Sequence, residues 1–224
     1  MNNNNAIADE EHGYFESANY SKQNLIDHDK KSHNGAYPIK DKVTEKLGTG
    51  SDTIKIIKNF MNKDDLDLIM EKVNGMWGFH EPREDKVLIA NDLIFYYKEK
   101  MKLKAEELFN LELEYDNYAS PVGEDFHLAG RLPNFVTQIH SDNLDIDKMK
   151  YDKYRWSGHI SNLIYLNNNY DGGELYFIEH DLMVKPEPGM LISFPGNFWN
   201  RHGILPASNY RFAISIFFKI KDFS

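Results

Sequence analysis

His140-Ser141-Asp142 stands at the end of a strand-like segment. In an extended chain, residues two apart point the same way, so one imidazole and one carboxylate converge on a single point. Two ligands do not make a site, and His-x-Asp is common by chance. The chain has no cysteine, so any metal must sit on His, Asp or Glu. Candidates for a third ligand are His127, His159, His180 and His202. His202 stands out by context. It follows Phe194-Pro195-Gly196 and an Asn-rich turn, and leads into the last strand-like run, where Arg211 comes nine residues later. Two imidazoles and one carboxylate on one face of a metal, with the other positions open, form the ligand set of non-haem iron(II) oxygen chemistry. The same three would also suit zinc. Arg211 favours iron: its planar fork can hold the far end of a dicarboxylate cosubstrate, which a zinc site does not need.

The elements that must position these residues are short strands. From about residue 126 onward, β-branched and aromatic segments alternate with Gly, Pro and Asn turns: Asn134–His140, His159–Leu166, Glu174–Ile178, Gly189–Phe194 and Tyr210–Lys221. Such punctuation predicts a sandwich or barrel. In the last run Phe212, Ile214, Ile216, Phe218 and Ile220 share one face. Arg211 shares the other with Ala213, Ser215, Phe217 and Lys219, which leaves room for a ligand beside the guanidinium. Two helices precede the strands. After Asn62, a candidate N-cap, Leu66, Ile69, Met70 and Val73 fall at helical spacing, with Gly75 as a stop. A second helix is predicted from about Asp92 to Phe109, with Leu93, Tyr97, Met101 and Leu108 as its stripe. Helices first and strands afterwards give an α+β layout, mainly β, with helices buttressing the β core.

Residues 1–50 are polar and read as a loosely ordered N-terminal extension, packed through Tyr14, Phe15 and Tyr20; the main domain is expected over 51–224, after the Gly48-Thr49-Gly50-Ser51 cluster. The net charge of −9 counts against a general grip on nucleic acid. There is no apolar run of about 18 residues to span a membrane, and no secretory leader pattern, so a cytoplasmic setting is expected. Oligomeric state is not legible.

Taken in order, His140-Ser141-Asp142, Tyr165-Leu166-Asn167, Gly172-Gly173-Glu174-Leu175, Pro186-Glu187-Pro188-Gly189, His202 and Arg211 resemble the prolyl 4-hydroxylase-like family of Fe(II)/2-oxoglutarate-dependent dioxygenases. The strand-helix opening IKIIKNFMNKDDLDLIMEKV is also similar, so the resemblance covers about residues 53–222. It implies a double-stranded β-helix, a distorted jelly roll with the metal inside. It implies Fe(II) on His140, Asp142 and His202, and 2-oxoglutarate held by Arg211, Tyr165 and Ser215, with O2 as second cosubstrate and ascorbate as a further reductant. The implied reaction is hydroxylation of a C–H bond, foremost of a prolyl residue in a peptide or protein, with release of succinate and CO2.

Three departures bear on substrate. The stretch 143–156 is long and charged, and reads as a lid or as a solvated loop. Gly158 stands where many relatives carry Arg, and His159 beside it reads as a core, surface or substrate-contacting histidine. Trp156, Trp199, Asn200 and Arg201 are candidates for the substrate groove, or simply packed. Glu179-His180-Asp181 looks like a metal cluster but is expected to be a turn. Two alternatives remain. One is the same chemistry on a free amino acid, a small metabolite or a nucleobase. The other is a non-catalytic, cupin-like metal-binding jelly roll.

Overall fold

The run from Arg211 to Ile220 forms one ten-residue strand that sets the layers of the molecule. The structure, a computed structural model, describes residues 14–17, 19–32, 42–73, 84–115, 127–142, 144–145, 150–151 and 160–221. Along it lie β1 (Tyr14–Glu16), α1 (Lys22–Ser32), α2 (Lys42–Leu47), β2 (Lys55–Ile57), α3 (Lys63–Val73), α4 (Glu84–Phe109), β3 (Leu113–Tyr115) and β4 (His127–Arg131). Then follow β5 (Phe135–His140), β6 (Leu144–Asp145), β7 (Lys150–Tyr151), β8 (Ile160–Tyr165), β9 (Leu175–Phe177), β10 (Leu182–Val184), β11 (Leu191–Pro195), β12 (His202–Ile204) and β13 (Arg211–Ile220).

Two antiparallel sheets face each other. The larger runs β2-β11-β8-β13-β3, with β4 also paired to β13; the smaller runs β1-β5-β12-β9-β10. Ile214, Ile216, Phe218 and Ile220 of β13 pack onto the helices through Ile69 and Val73 of α3 and Ile94, Tyr97, Met101 and Ala105 of α4. The opposite face of the large sheet, with Tyr165, Ile192, Phe194 and Ala213, meets Leu175, Phe177, Val184 and Ile204 of the small sheet. Each fully buried Ile or Phe contributes about 1.5–3 kcal/mol. A one-residue slip of β13 would therefore forfeit several such terms and turn Arg211 into the helix layer. Burial of the hydrophobic face thus fixes which way Arg211 points.

The helices are specified locally. Asn62 caps α3: its Oδ1 accepts the Asp65 N–H at 2.8 Å. The Tyr97 hydroxyl of α4 donates to Asp65 at 2.7 Å and so ties the two helices at that cap. α4 begins at Glu84, eight residues before the expected start. Its contiguous Val87-Leu88-Ile89 hides amphipathic spacing, although Glu84, Lys86, Leu88 and Ala90 are all helix formers. Its core stripe is Ile94, Tyr97, Met101 and Ala105, with Leu93 only half-buried. The expected stop at Gly75 lies outside the described residues.

Within the first fifty residues, the described segments are more structured than their polarity suggests. β1 extends the small sheet by pairing with β5. α1 starts with reciprocal bonds, Ser21 N–H to Asn24 Oδ1 at 2.8 Å and Asn24 N–H to Ser21 Oγ at 3.3 Å. Its Leu25 packs against Val136, Ile139 and Tyr176 on the outer face of the small sheet, with Tyr20 alongside. Val43 of α2 joins the helix-side core. Among the described residues, no helix is long and apolar enough to cross a membrane.

Candidate active site

His140 ends β5 and His202 opens β12, and the two are paired directly across the small sheet. Their rings lie 4.5 Å apart. Asp142 follows two residues after His140, and ligand atoms of all three lie within 4.8 Å of one another. Asp142 Oδ1 is 3.5 Å from His140 Nε2 and 4.0 Å from His202 Nε2. Each imidazole is fixed from behind. His140 Nδ1 donates to the Gln138 carbonyl at 2.9 Å, and His202 Nδ1 to the Asn200 carbonyl at 3.0 Å. A carbonyl only accepts, so in the neutral ring the Nε2 lone pair is left for a metal. Ser161 of β8 donates to Asp142 Oδ2 and leaves Oδ1 toward the imidazoles. Phe177 and Phe194 pack against the His202 ring at 5.6 and 4.9 Å and keep that side dry.

Charge in the cluster is sorted by burial and neighbours. Burial alone would push the Asp142 carboxyl up, but His202, His140 and the Ser161 hydroxyl outweigh it and hold it down at about 2. Burial pushes His202 down to about 4 against the pull of Asp142. Burial disfavours charge on His140 too, yet its bond to Asp142 prevails and raises it. The set is thus a carboxylate with two imidazoles, which fits a divalent cation with open positions.

A second polar cluster lies on the inner face of the large sheet, the face that also carries Ser161. Arg211 is 3% exposed, and its guanidinium is 5.5 Å from the Tyr165 ring. Arg211 Nη1, the Tyr165 hydroxyl and the Tyr170 hydroxyl are buried and complete no hydrogen bond among the described residues. Burial raises the Tyr165 phenol, opposed by the charge of Arg211, so it is a neutral donor. A cation and two hydroxyls left unsatisfied fit a carboxylate. Four residues of β8, about 13 Å of strand, separate Ser161 at the metal cluster from Tyr165 at this one. Leu163 shares their face between the two. Asn167 holds the backbone on both sides of Arg211, donating to the Tyr210 carbonyl and accepting from the Phe212 N–H, each at 2.8 Å. That bridge gives the Asn of Tyr165-Leu166-Asn167 a physical role.

The other candidates divide. Ser215 lies half-buried on the Arg211 face, but it is opposite Leu163, four residues down the strand from Arg211. Trp199 is half-buried, edge-on to Phe198 at 5.9 Å. Arg201, read as a groove residue, is instead buried and committed: it donates to Asp29 at 3.0 Å and to Glu179 at 2.9 Å. Arg201 lies just before β12 with φ −58° and ψ 133°, an extended backbone, so it points away from His202 and toward α1. His180 lies in the short turn Ile178–His180 between β9 and β10, as expected, and contacts Asn200. Trp156, Gly158 and His159 lie outside the described residues, as does most of the charged stretch after Asp142. Tyr170 was not legible as a site residue. It sits in an Asn- and Gly-rich turn, and only the fold brings its hydroxyl to Arg211. Its one signal is a lone aromatic beside Gly172-Gly173.

Residues 127–219 match the family model of the 2OG-Fe(II) oxygenase superfamily, a span that holds both clusters. No curated protein matches the chain in sequence. Solved structures match in fold. A viral collagen prolyl hydroxylase from Paramecium bursaria Chlorella virus-1, as its 2OG complex, is 15% identical with a TM-score of 0.53, over 74% of this chain and 95% of that one. A Pseudomonas putida prolyl-4-hydroxylase is 21% identical with a TM-score of 0.52, over 84% and 96%. A Trichoplax adhaerens prolyl hydroxylase, in complex with a hypoxia inducible factor peptide fragment, is 15% identical with a TM-score of 0.51, over 90% and 94%. The helix-backed pair of facing antiparallel sheets is the double-stranded β-helix fold. With the family model spanning both polar clusters, residues 127–219 form a 2OG-Fe(II) oxygenase domain, that of an Fe(II)- and 2-oxoglutarate-dependent oxygenase.

Proposed function

We propose that this oxygenase hydroxylates a C–H bond of a prolyl residue in a peptide or protein substrate. In this reading His140, Asp142 and His202 hold Fe(II), and Arg211 and Tyr165 hold the far carboxylate of 2-oxoglutarate. The observation that carries the assignment is the pairing of two buried polar clusters between the facing sheets. Three converging ligand atoms lie at one end, and the buried Arg211 Nη1 and Tyr165 hydroxyl, unsatisfied among the described residues, lie at the other. When bound, the metal and cosubstrate supply the oxidation, with succinate and CO2 as co-products. The chain's residues bind, orient and exclude water. The Gln138 and Asn200 carbonyls fix the imidazole tautomers, Ser161 turns Asp142 toward them, and Phe177 and Phe194 shield His202. A prolyl substrate is supported by the activities of the prolyl hydroxylases that share this fold, one of them solved with a peptide.

The test is an anaerobic titration of metal-free protein with Fe(II) and 2-oxoglutarate, read by the visible charge-transfer band. Wild type should form the band, His202→Ala should lose it, and Arg211→Ala should need far more cosubstrate. Proline-containing peptides incubated aerobically should then gain one oxygen atom by mass. A wild type with no band and tight zinc binding would point instead to a metal-binding jelly roll. A band with turnover of a free amino acid and of no peptide would overturn the substrate.

A further inference from the structure

We infer that the N-terminal helix α1, through Asp29, is part of the device that positions the metal ligand His202, with Asp29 and Arg201 as the positioning pair. The inference rests on the reading of His202 as a metal ligand. His202 opens a strand of only three residues, and the pairing of that strand with β5 shifts register between His202 and Ile204. On its other edge β12 pairs in register with β9, but over those three residues only, so the ladder holds no more than a short stretch starting at the ligand. The segment leading into it is held from outside instead.

Three separate pieces of the first fifty-three residues grip that segment. Asp29 of α1 takes Arg201 at 3.0 Å, Thr44 of α2 takes Asn197 at 2.9 Å, and Thr53 reaches Asn200 at 3.3 Å. Asn200 is bonded in turn to Asn197 at 3.0 Å, and its carbonyl fixes His202 Nδ1. Arg201 stands between that carbonyl and the ligand. Its guanidinium is shared by Asp29 and Glu179, and its own carbonyl accepts the Ile178 N–H at 3.1 Å. His140, by contrast, takes its carbonyl from Gln138 of its own strand.

Asp29 itself points to this role. It lies one helical turn after Leu25, on the face α1 buries, and is 6% exposed. A carboxylate at such a position disfavours docking unless it is paired, and removing one partner of a buried pair strands the other's charge. Simple attachment of α1 is already served by Leu25 and by Lys22, which pairs with Asp181 and lies over the Tyr176 ring at 4.8 Å. The buried pair adds a fixed distance between α1 and the residue next to the ligand.

The experiment measures Mn(II) affinity and the visible spectrum of the Co(II)-loaded full chain, with circular dichroism to confirm folding. Asp29→Asn should raise the Mn(II) Kd about tenfold or more, the usual effect of losing a group that orients a ligand, and should alter the Co(II) spectrum. Lys22→Ala cuts the exposed tether of the same helix and should change neither. Asp29→Asn with wild-type affinity and spectrum overturns the inference, as does an equal loss in Lys22→Ala, which would make α1 a plain brace. If Asp29→Asn does not fold, Glu179→Gln loosens the same guanidinium from the other side; a rise in Kd supports the inference and a wild-type value overturns it. A wild type that binds neither metal would instead overturn the ligand reading, and this inference with it.

Discussion

Replacing Tyr165 with Phe should stabilise the cosubstrate-free protein and weaken 2-oxoglutarate binding, two effects of opposite sign from one oxygen atom. The Tyr165 side chain is fully buried and its hydroxyl proton has no acceptor among the described residues. A buried unsatisfied polar group costs about 1–3 kcal/mol. Phenylalanine fills the same ring site among Ile192, Phe194 and Ala213 without that cost. A gain of about 1 kcal/mol corresponds to a rise of roughly 2–4 °C in Tm for a chain of this size. With 2-oxoglutarate bound, the hydroxyl would donate to a carboxylate, a bond to a charged group worth about 1.5–3 kcal/mol. Its loss should therefore raise the cosubstrate Kd by about 10- to 150-fold. Thermal unfolding of metal-free protein and the charge-transfer titration read the two effects separately. The reasoning fails if Tyr165→Phe lowers the Tm of the cosubstrate-free protein, or if it binds 2-oxoglutarate as wild type does.

Gly173 has φ +73°, and a Cβ there would lie 2.8 Å from the Tyr170 ring. Gly173→Ala should cost about 1–2 kcal/mol in backbone strain and, by displacing Tyr170 from Arg211, also weaken 2-oxoglutarate binding; unchanged affinity would remove Tyr170 from that pocket. Asn62→Ala removes the cap of α3 and should cost about 1 kcal/mol, lowering Tm by roughly 2–4 °C while leaving the Mn(II) Kd unchanged. Metal affinity should fall with pH. His140 in the metal-free protein titrates above the usual histidine value of 6.5, so below that value a metal must displace its proton, and affinity falls toward about tenfold per pH unit. His202, held near 4, and Asp142, held near 2, compete only in stronger acid. Mn(II) affinity that is flat from neutrality down toward the range of His202 would refute that assignment.

Two of the three candidate ligands were legible from a local pattern, whereas His202 was picked out by its place before the last strand. His140 and Asp142 converge by the two-residue period of a strand, and Arg211 by the two-sided pattern of β13. Burial of Ile214, Ile216 and Phe218 against α3 and α4 enforces that pattern, so the inward face could be read from the sequence. The polar cradle of Arg211 was legible only in part. Tyr165 and Asn167 belong to a recognisable motif, whereas Tyr170 reaches the pocket from a turn with no periodicity to read.

The first fifty residues misled for a different physical reason. Leu25 is the one hydrophobic side chain of α1 that is fully buried, with Ile26 partly so, and a helix that buries so little reads as solvated. Leu25 and Lys22 attach it, and the charge that ties it to the segment before His202, Asp29, has its partner Arg201 far along the chain. No local pattern signals such a pair, since a solvated aspartate and a buried one look alike in sequence. The same distance explains why Arg201, adjacent to a ligand, read as a groove residue. Proximity in sequence placed it at the site, and alternation along the extended backbone turned it away. Polarity near a ligand therefore has two readings, contact with substrate or support of the ligand from behind. For Arg201 the partners decide: a guanidinium divided between Asp29 and Glu179 is bound to the scaffold, and it can affect the chemistry only through the position of His202.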